Sequence, residues 1–160
     1  MYATVIVPVD FLGEYLLGIS DIRDVFSDTS SDQPVLEPLI RGNASYMTWA
    51  NQNRRDSQKA IAEAYDNISR ELGATLVSVG DAWEKAPSAD SHLSLHAADG
   101  RHANPIGTHL TTCILYAVIY GATPEGLPGA LSDQGVVLND LPMAQARFLQ
   151  RIAYQTVSNT

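Results

Sequence analysis

The sequence predicts an α/β domain, and three successive segments carry that prediction. The run at 44–49 is typical of a strand, the pattern at 56–72 is typical of an amphipathic helix, and 75–79 is a second apolar strand. A strand, a helix and a strand in this order form a βαβ unit, in which the two strands run parallel. With 160 residues, of which 45% are hydrophobic and 18% charged, the chain fits one globular domain over 1–160.

The N-terminal third contributes one further strand. Thr4-Val5-Ile6-Val7 is short and β-branched, which predicts a strand over 4–7. Apolar residues recur at near-helical intervals over 11–26, although two glycines weaken a helix there. The polar stretch 28–34 is expected to be a loop.

The central helix has the clearest periodicity. Apolar residues follow the i, i+3, i+4, i+7 pattern, and Gly73 supplies a C-terminal stop. They are Ile61, Ala64, Tyr65, Ile68 and Leu72. After the strand at 75–79, Gly80 is expected to end the strand, and a short helix is expected over 81–86.

The C-terminal half is predicted to contain two helices. A helix over 105–120 should begin with Asn104 as N-cap and Pro105 as its first residue, because proline has no amide to satisfy. The segment 121–135, rich in glycine and proline, is expected to be irregular. A last helix over 142–157 should bury Phe148 and Ile152.

The charge balance excludes several classes of partner. Ten Lys and Arg against eighteen Asp and Glu give a formal net charge of -8, and this charge repels nucleic acids and anionic lipid surfaces. A neutral small molecule is the more natural partner. Cys113, the single cysteine, lies in an apolar run and is expected to be an inert core residue.

No membrane span or export signal is expected from the sequence. The apolar run around Cys113 is too short to cross a bilayer. Residues 1–9 lack both a basic n-region and a small-residue cleavage site, which favours a cytoplasmic location over export.

Asp99 and His102 form the candidate catalytic pair. Three positions apart in a loop that leads into a helix, the Asp99 carboxylate can accept the Nδ1 proton of His102 and leave Nε2 as a base. The same spacing also occurs in surface turns, where the carboxylate bonds the backbone and the imidazole is merely exposed. Spacing alone leaves both interpretations open.

A metal site is the other chemistry that the histidines suggest. His92, His96, His102 and His109 lie close in sequence to Asp99, and the first two are four residues apart. The residues between them form no familiar ligand motif, and a metal would divert Asp99 from His102. We therefore expect neither a metal nor another cofactor, with His96 a loop or substrate-side residue and His109 partly buried.

Several short motifs in a fixed order link the chain to a known family. They are Met47-Thr48-Trp49, Ala64-Tyr65, Glu71-Leu72-Gly73-Ala74, Val79-Gly80-Asp81-Ala82-Trp83 and Asp99-Gly100-Arg101-His102-Ala103-Asn104-Pro105-Ile106-Gly107. This series, within residues 44–127, resembles the C-terminal part of SGNH/GDSL hydrolases, where an Asp-x-x-His pair precedes a Pro-x-Gly helix start. Residues 128–160 would add a loop and a helix.

The resemblance implies a fold and an activity. The fold would be a flavodoxin-like three-layer α/β/α sandwich around a parallel sheet, here incomplete at its N-terminus. The activity would be cleavage of a small-molecule or carbohydrate ester, with His102 as general base and Asp99 as its orienting acid. Trp49 is a candidate substrate-binding residue and Asn43 a candidate oxyanion donor, although Gly42 and Asn43 are adjacent where the family has an intervening residue.

The serine nucleophile of that family has no clear counterpart here. After the first strand, the position of the serine in Gly-Asp-Ser is taken by Phe11, which cannot attack a carbonyl. Ser27, Ser30, Ser31 and Ser45 lack the strand-to-turn setting that presents a nucleophile. Two hypotheses follow: an esterase completed by a serine from another subunit or an unrecognised position, or an inactive, truncated hydrolase domain that serves as a binding or assembly module. In the second, an exposed sheet edge favours homo-oligomers.

Overall fold

A computed structural model describes residues 6–8, 43–133 and 136–159. The strands are β1 (Ile6–Pro8), β2 (Asn43–Tyr46), β3 (Thr75–Val77), β4 (Ala130–Asp133) and β5 (Val136–Asp140). The helices are a 3₁₀ helix (Gln52–Ser57), α1 (Gln58–Leu72), α2 (Val79–Ala89), α3 (Pro105–Tyr120) and α4 (Met143–Ser158). The expected helix at 11–26 and loop at 28–34 lie outside the described residues.

The βαβ unit is confirmed. Strands β2 and β3 pair in parallel, with Ser45 opposite Leu76, and α1 connects them. The helix ends as the sequence predicts, because Gly73 adopts a left-handed conformation with φ of 59° and its amide bonds the carbonyl of Arg70. The described part of the chain is therefore α/β, with a parallel strand pair.

The sheet is not parallel throughout. Strand β1 runs antiparallel to β2, with Ile6 opposite Ser45, so the three-stranded sheet is mixed, in the order β1-β2-β3. A β-branched run specifies a strand but carries no information about its direction, because both ladders accept the same residues. The predicted parallel pairing is therefore present between β2 and β3, while β1 is antiparallel to β2.

Helices cover both faces of the parallel pair. Alternate strand residues point to opposite faces. Ala44 and Val77 belong to a cluster with buried side chains of α2, α3 and α4, while Leu76 packs against a second cluster that holds Ile61 and Tyr65 of α1. Within the described residues, none of the helices is both long and apolar enough to span a bilayer.

Strand β3 ends at Val77, earlier than the predicted 79, and α2 begins at Val79, earlier than the predicted 81. Gly80 was expected to end a strand but lies inside α2. The position requires glycine, because a Cβ there would overlap the carbonyl oxygen of Thr48 and the side-chain amide of Gln58. Its role is to allow the helix to approach the segment after β2. The sequence pattern identified a special glycine but not the reason for it.

The segment expected to be irregular contains a β-hairpin. Strands β4 and β5 pair antiparallel with a register shift between Leu131 and Ser132, and β5 exposes Val136, Val137 and Leu138. The prediction of an irregular 121–135 is wrong over β4. A strand pair that buries neither face lacks the alternation of apolar and polar residues from which strands are recognised.

Helix α3 has the boundaries that the sequence predicts. The Asn104 side chain accepts a hydrogen bond of 2.9 Å from the amide of Gly107, and Gly121 ends the helix with φ of 60°. Gly107 itself sits against the ring of Trp83, so the glycine of the Pro-x-Gly start has a packing role. Cys113 is buried on this helix, and burial raises the pKa of its thiol to about 12.

Gly107→Ala should destabilise the protein by about 1–3 kcal/mol, the usual cost of overpacking. The added Cβ would lie 2.7 Å from Cζ2 of Trp83 and overlap the carbonyl oxygen of Leu95, which outweighs the gain of about 1 kcal/mol in helix propensity. Urea unfolding measures the change. The control is Thr108→Ala, at the neighbouring exposed position, which should stay within about 0.5 kcal/mol of wild type. Equal stability of Gly107→Ala and wild type would contradict the packing argument.

Candidate active site

The side chains of Asp99 and His102 are in contact. Oδ2 of Asp99 faces Nδ1 of His102 in a hydrogen bond, while Oδ1 accepts backbone hydrogen bonds from Arg101 at 2.9 Å and His102 at 3.0 Å. One carboxylate therefore both shapes the turn and holds the imidazole. The pairing predicted from the spacing is present, together with the local turn bonds of the alternative interpretation.

The three hydrogen bonds keep the Asp99 carboxyl ionised. Its pKa lies well below the ordinary value of 3.8, first because of the amide of Arg101 and then because of the His102 side chain and amide. An ionised carboxylate can only accept, so Nδ1 of His102 must carry the proton. In the neutral imidazole, Nε2 then has a free lone pair and is the ring's basic atom.

The His102 ring is open to solvent. Its side chain is 83% exposed and that of Asp99 47%, and no described residue forms a hydrogen bond to Nε2. The basic nitrogen is accessible to a molecule arriving from outside. Aliphatic side chains of the described ranges do not cover the ring.

The segment that follows β2 is hydrogen-bonded to the loop that holds the pair. The amide of Gln52 donates to the carbonyl of Gly100 at 2.9 Å, and Nε1 of Trp49 donates to the carbonyl of Arg101 at 2.8 Å. Trp49 lies just beyond the carboxyl end of β2, the edge at which ligands bind in open α/β sheets. The structure thus brings Trp49 together with the predicted pair.

Trp49 also lines a cleft of about 200 Å³, to whose wall neither Asp99 nor His102 contributes. The rings of Trp49 and Trp83 are stacked at 3.8 Å between centroids and 5° between planes, and His96 meets Trp83 edge-on at 4.9 Å. The lining residues are Trp49, Ala50, Arg55, Gln58, Trp83, Glu84, Pro87, Ser88, Leu95 and His96. His96 lies on the cleft wall, and its Nε2 donates to the carbonyl of Ala50 at 3.0 Å.

Gln58 is a cleft residue that sequence reasoning missed. It is 4% exposed, and Oε1 accepts a 2.7 Å hydrogen bond from the amide of Ala50. This bond supports the backbone beside Trp49. The sequence could have indicated this, because Gln58 lies on the same helix face as the apolar Ile61 and Tyr65. A buried amide side chain on such a face usually forms hydrogen bonds with backbone groups.

Asn43 does not join the other candidates. It is the exposed first residue of β2, whereas Trp49 follows the last one, so the two lie toward opposite ends of the strand. No hydrogen bond among the described residues links Asn43 to Asp99 or His102.

The described residues offer no hydroxyl partner for His102. The hydroxyls of Ser57, Ser69 and Ser88 donate to carbonyls of Arg54, Tyr65 and Glu84 in their own turns. Ser45 is fully buried in β2, and its Oγ has no partner in the described part of the chain. Phe11, Ser27, Ser30 and Ser31 lie outside the described residues.

The other histidines are not gathered around a metal. The described ranges contain no group of three or more His, Cys, Asp or Glu side chains arranged to hold an ion. His109 is buried on α3, where burial lowers its pKa, and its Nε2 has no partner among the described residues. His109 is therefore on the predicted helix, but it is buried where partial burial was expected.

Comparison of the chain with models of protein families, with curated proteins and with solved structures finds no match.

The carboxyls of Asp81 and Asp99 should titrate on opposite sides of the ordinary aspartate pKa of 3.8. Burial raises the pKa of Asp81 above 3.8, whereas hydrogen bonding lowers that of Asp99. Carboxyl ¹³C NMR during acidification should therefore show Asp81 protonating first and Asp99 last. The interactions of Asp99 stabilise the fold above its unfolded pKa and are lost as the pH falls through its lower folded pKa. Coincident titration of the two carboxyls would contradict the geometry.

Proposed function

We propose that this chain is an ester hydrolase of the SGNH/GDSL type, in which His102 is the general base and Asp99 orients its ring. The observation that carries the proposal is the contact between Asp99 Oδ2 and His102 Nδ1, with the second nitrogen facing solvent. The sequence resemblance supports it, because the pair precedes a Pro-x-Gly helix start of the kind that this family has.

The proposal includes the three-layer α/β/α sandwich of that family. Helix α1 on one face of β2 and β3, and α3 and α4 on the other, support this arrangement. The site lies near the carboxyl end of β2, as ligand sites do in open α/β sheets.

In the proposed mechanism His102 acts first as a general base and then as a general acid. Nε2 takes the proton from a serine hydroxyl as its oxygen attacks the ester carbonyl, and then gives that proton to the departing alcohol. The ionised Asp99 stabilises the imidazolium formed between these steps. Water then attacks the acyl-serine ester while Nε2 takes a proton from it. The C–O bond to serine breaks, Nε2 returns the proton to the serine oxygen, and the acid is released.

The proposed substrate is a neutral small-molecule or carbohydrate ester. The net charge of -8 disfavours strongly anionic substrates. The cleft that Trp49 lines combines its indole with Arg55 and Glu84, so it offers both apolar and polar contacts, although Asp99 and His102 do not line it.

One observation favours the second candidate, an inactive hydrolase domain that acts as a binding or assembly module. His102 is 83% exposed, and no described serine or threonine hydroxyl bonds to it. Light scattering and an ester assay separate the two candidates. A protein that assembles but cleaves no ester supports the module.

His102→Ala should lower kcat/KM for a short-chain nitrophenyl ester by about 10²–10⁴-fold, the usual contribution of a general base. The matched control is His92→Ala, which removes another exposed histidine that takes no part in the pair and should keep wild-type activity. Circular dichroism checks that both variants fold. Wild-type activity that survives His102→Ala would refute the proposed role of the base.

A further inference from the structure

Two hydrogen bonds from neighbouring segments hold the backbone between Asp99 and His102. The carbonyl of Gly100 accepts from the backbone amide of Gln52, and the carbonyl of Arg101 accepts from Nε1 of Trp49. In the described part of the chain, Trp49 is the one side chain from outside the loop that bonds these residues. It acts on the peptide that directly precedes His102.

Trp49 is itself held in place by packing. Its ring lies flat on Trp83. Trp83 is 5% exposed and belongs to the hydrophobic cluster that contains Ala44 and Val77. Trp83 in turn donates from Nε1 to Oγ1 of Thr111 on α3 at 3.2 Å, and His96 packs edge-on against it. The indole N–H of Trp49 therefore projects from a rigid support rather than from a mobile side chain.

We propose that Trp49 is a positioning residue, whose indole N–H fixes the Arg101 peptide and thereby the orientation of His102 toward Asp99. The inference rests on the proposed function, since it assigns Trp49 a role in the same site. It differs from substrate binding, the role that the sequence suggested, because the donor atom is engaged by the protein itself.

A positioning role has a specific kinetic signature. The hydrogen bond uses one edge of the indole, while the ring also lines the cleft. Replacing the indole by a phenyl ring removes the N–H and retains an apolar wall. The variant should therefore lose kcat with little change in KM, because misorientation of a reacting group affects the chemical step.

The test compares Trp49→Phe with Trp83→Phe. Each variant removes one indole N–H and keeps an aromatic ring in the stack, but only the first loses the bond to the loop; the second loses the bond to Thr111. We expect kcat on a nitrophenyl ester to fall about tenfold or more in Trp49→Phe. It should fall less in Trp83→Phe, which lines the same cleft but keeps the hydrogen bond from Trp49 to the loop.

A second measurement does not depend on activity. Ring ¹⁵N shifts of His102 in mildly alkaline buffer report whether the proton resides on Nδ1, and this tautomer should lose population in Trp49→Phe but not in Trp83→Phe. If wild type cleaves no ester, the proposed function fails, yet the shifts still test the positioning role. If wild type is active and the two variants agree in kcat and in ¹⁵N shifts, Trp49 does not position the pair.

An isosteric replacement covers the case in which Trp49→Phe does not fold. The chain has two tryptophans, so Trp83→Phe protein grown with benzothienylalanine carries the analogue at position 49 alone. Its bicyclic ring keeps the shape of indole and lacks the N–H. It should show the same loss of kcat and of the Nδ1 tautomer relative to Trp83→Phe, and unchanged values would overturn the inference.

Discussion

The site depends on the hydrogen bonds that join the loop before α3 to the segment after β2. The Asn104 side chain caps α3 through Oδ1 and donates through Nδ2 to the carbonyls of Ser94 at 2.8 Å and His96 at 3.2 Å, so one amide fixes both ends of the loop. Gln52 and Trp49 tie its middle to the carboxyl end of β2. Because these bonds restrain the backbone, the short side chains of Asp99 and His102 meet in one arrangement although both are exposed.

Asp99 and His102 are exposed to solvent, yet hydrogen bonds hold their side chains in one arrangement. A surface imidazole normally samples several rotamers, but Asp99 is held by backbone amides on one oxygen and presents the other to Nδ1. The same amides keep the carboxylate ionised and so set the ring tautomer. Trp49 lines the cleft and also donates to the carbonyl of Arg101, so this residue connects the candidate binding surface with the loop of the candidate base.

The sequence predicted the features that depend on local rules. The bounds of α3 follow from Asn104, Pro105 and Gly121, and the end of α1 follows from Gly73. Contacts across long separations were not predictable, because no periodicity specifies that Trp49 bonds Arg101 or that Gln58 holds Ala50. The direction of β1 and the exposed hairpin were missed because neither has a distinctive residue pattern.

Covalent labelling with a fluorophosphonate probe tests most directly whether His102 serves a nucleophile. The probe bonds to serines whose hydroxyl is activated by a neighbouring base, and mass spectrometry of the digested protein locates the labelled residue. An ester hydrolase built on the Asp99 and His102 pair should be labelled at one serine, and the label should disappear in His102→Ala. A folded protein that takes up no probe, or one labelled equally without His102, would contradict this account.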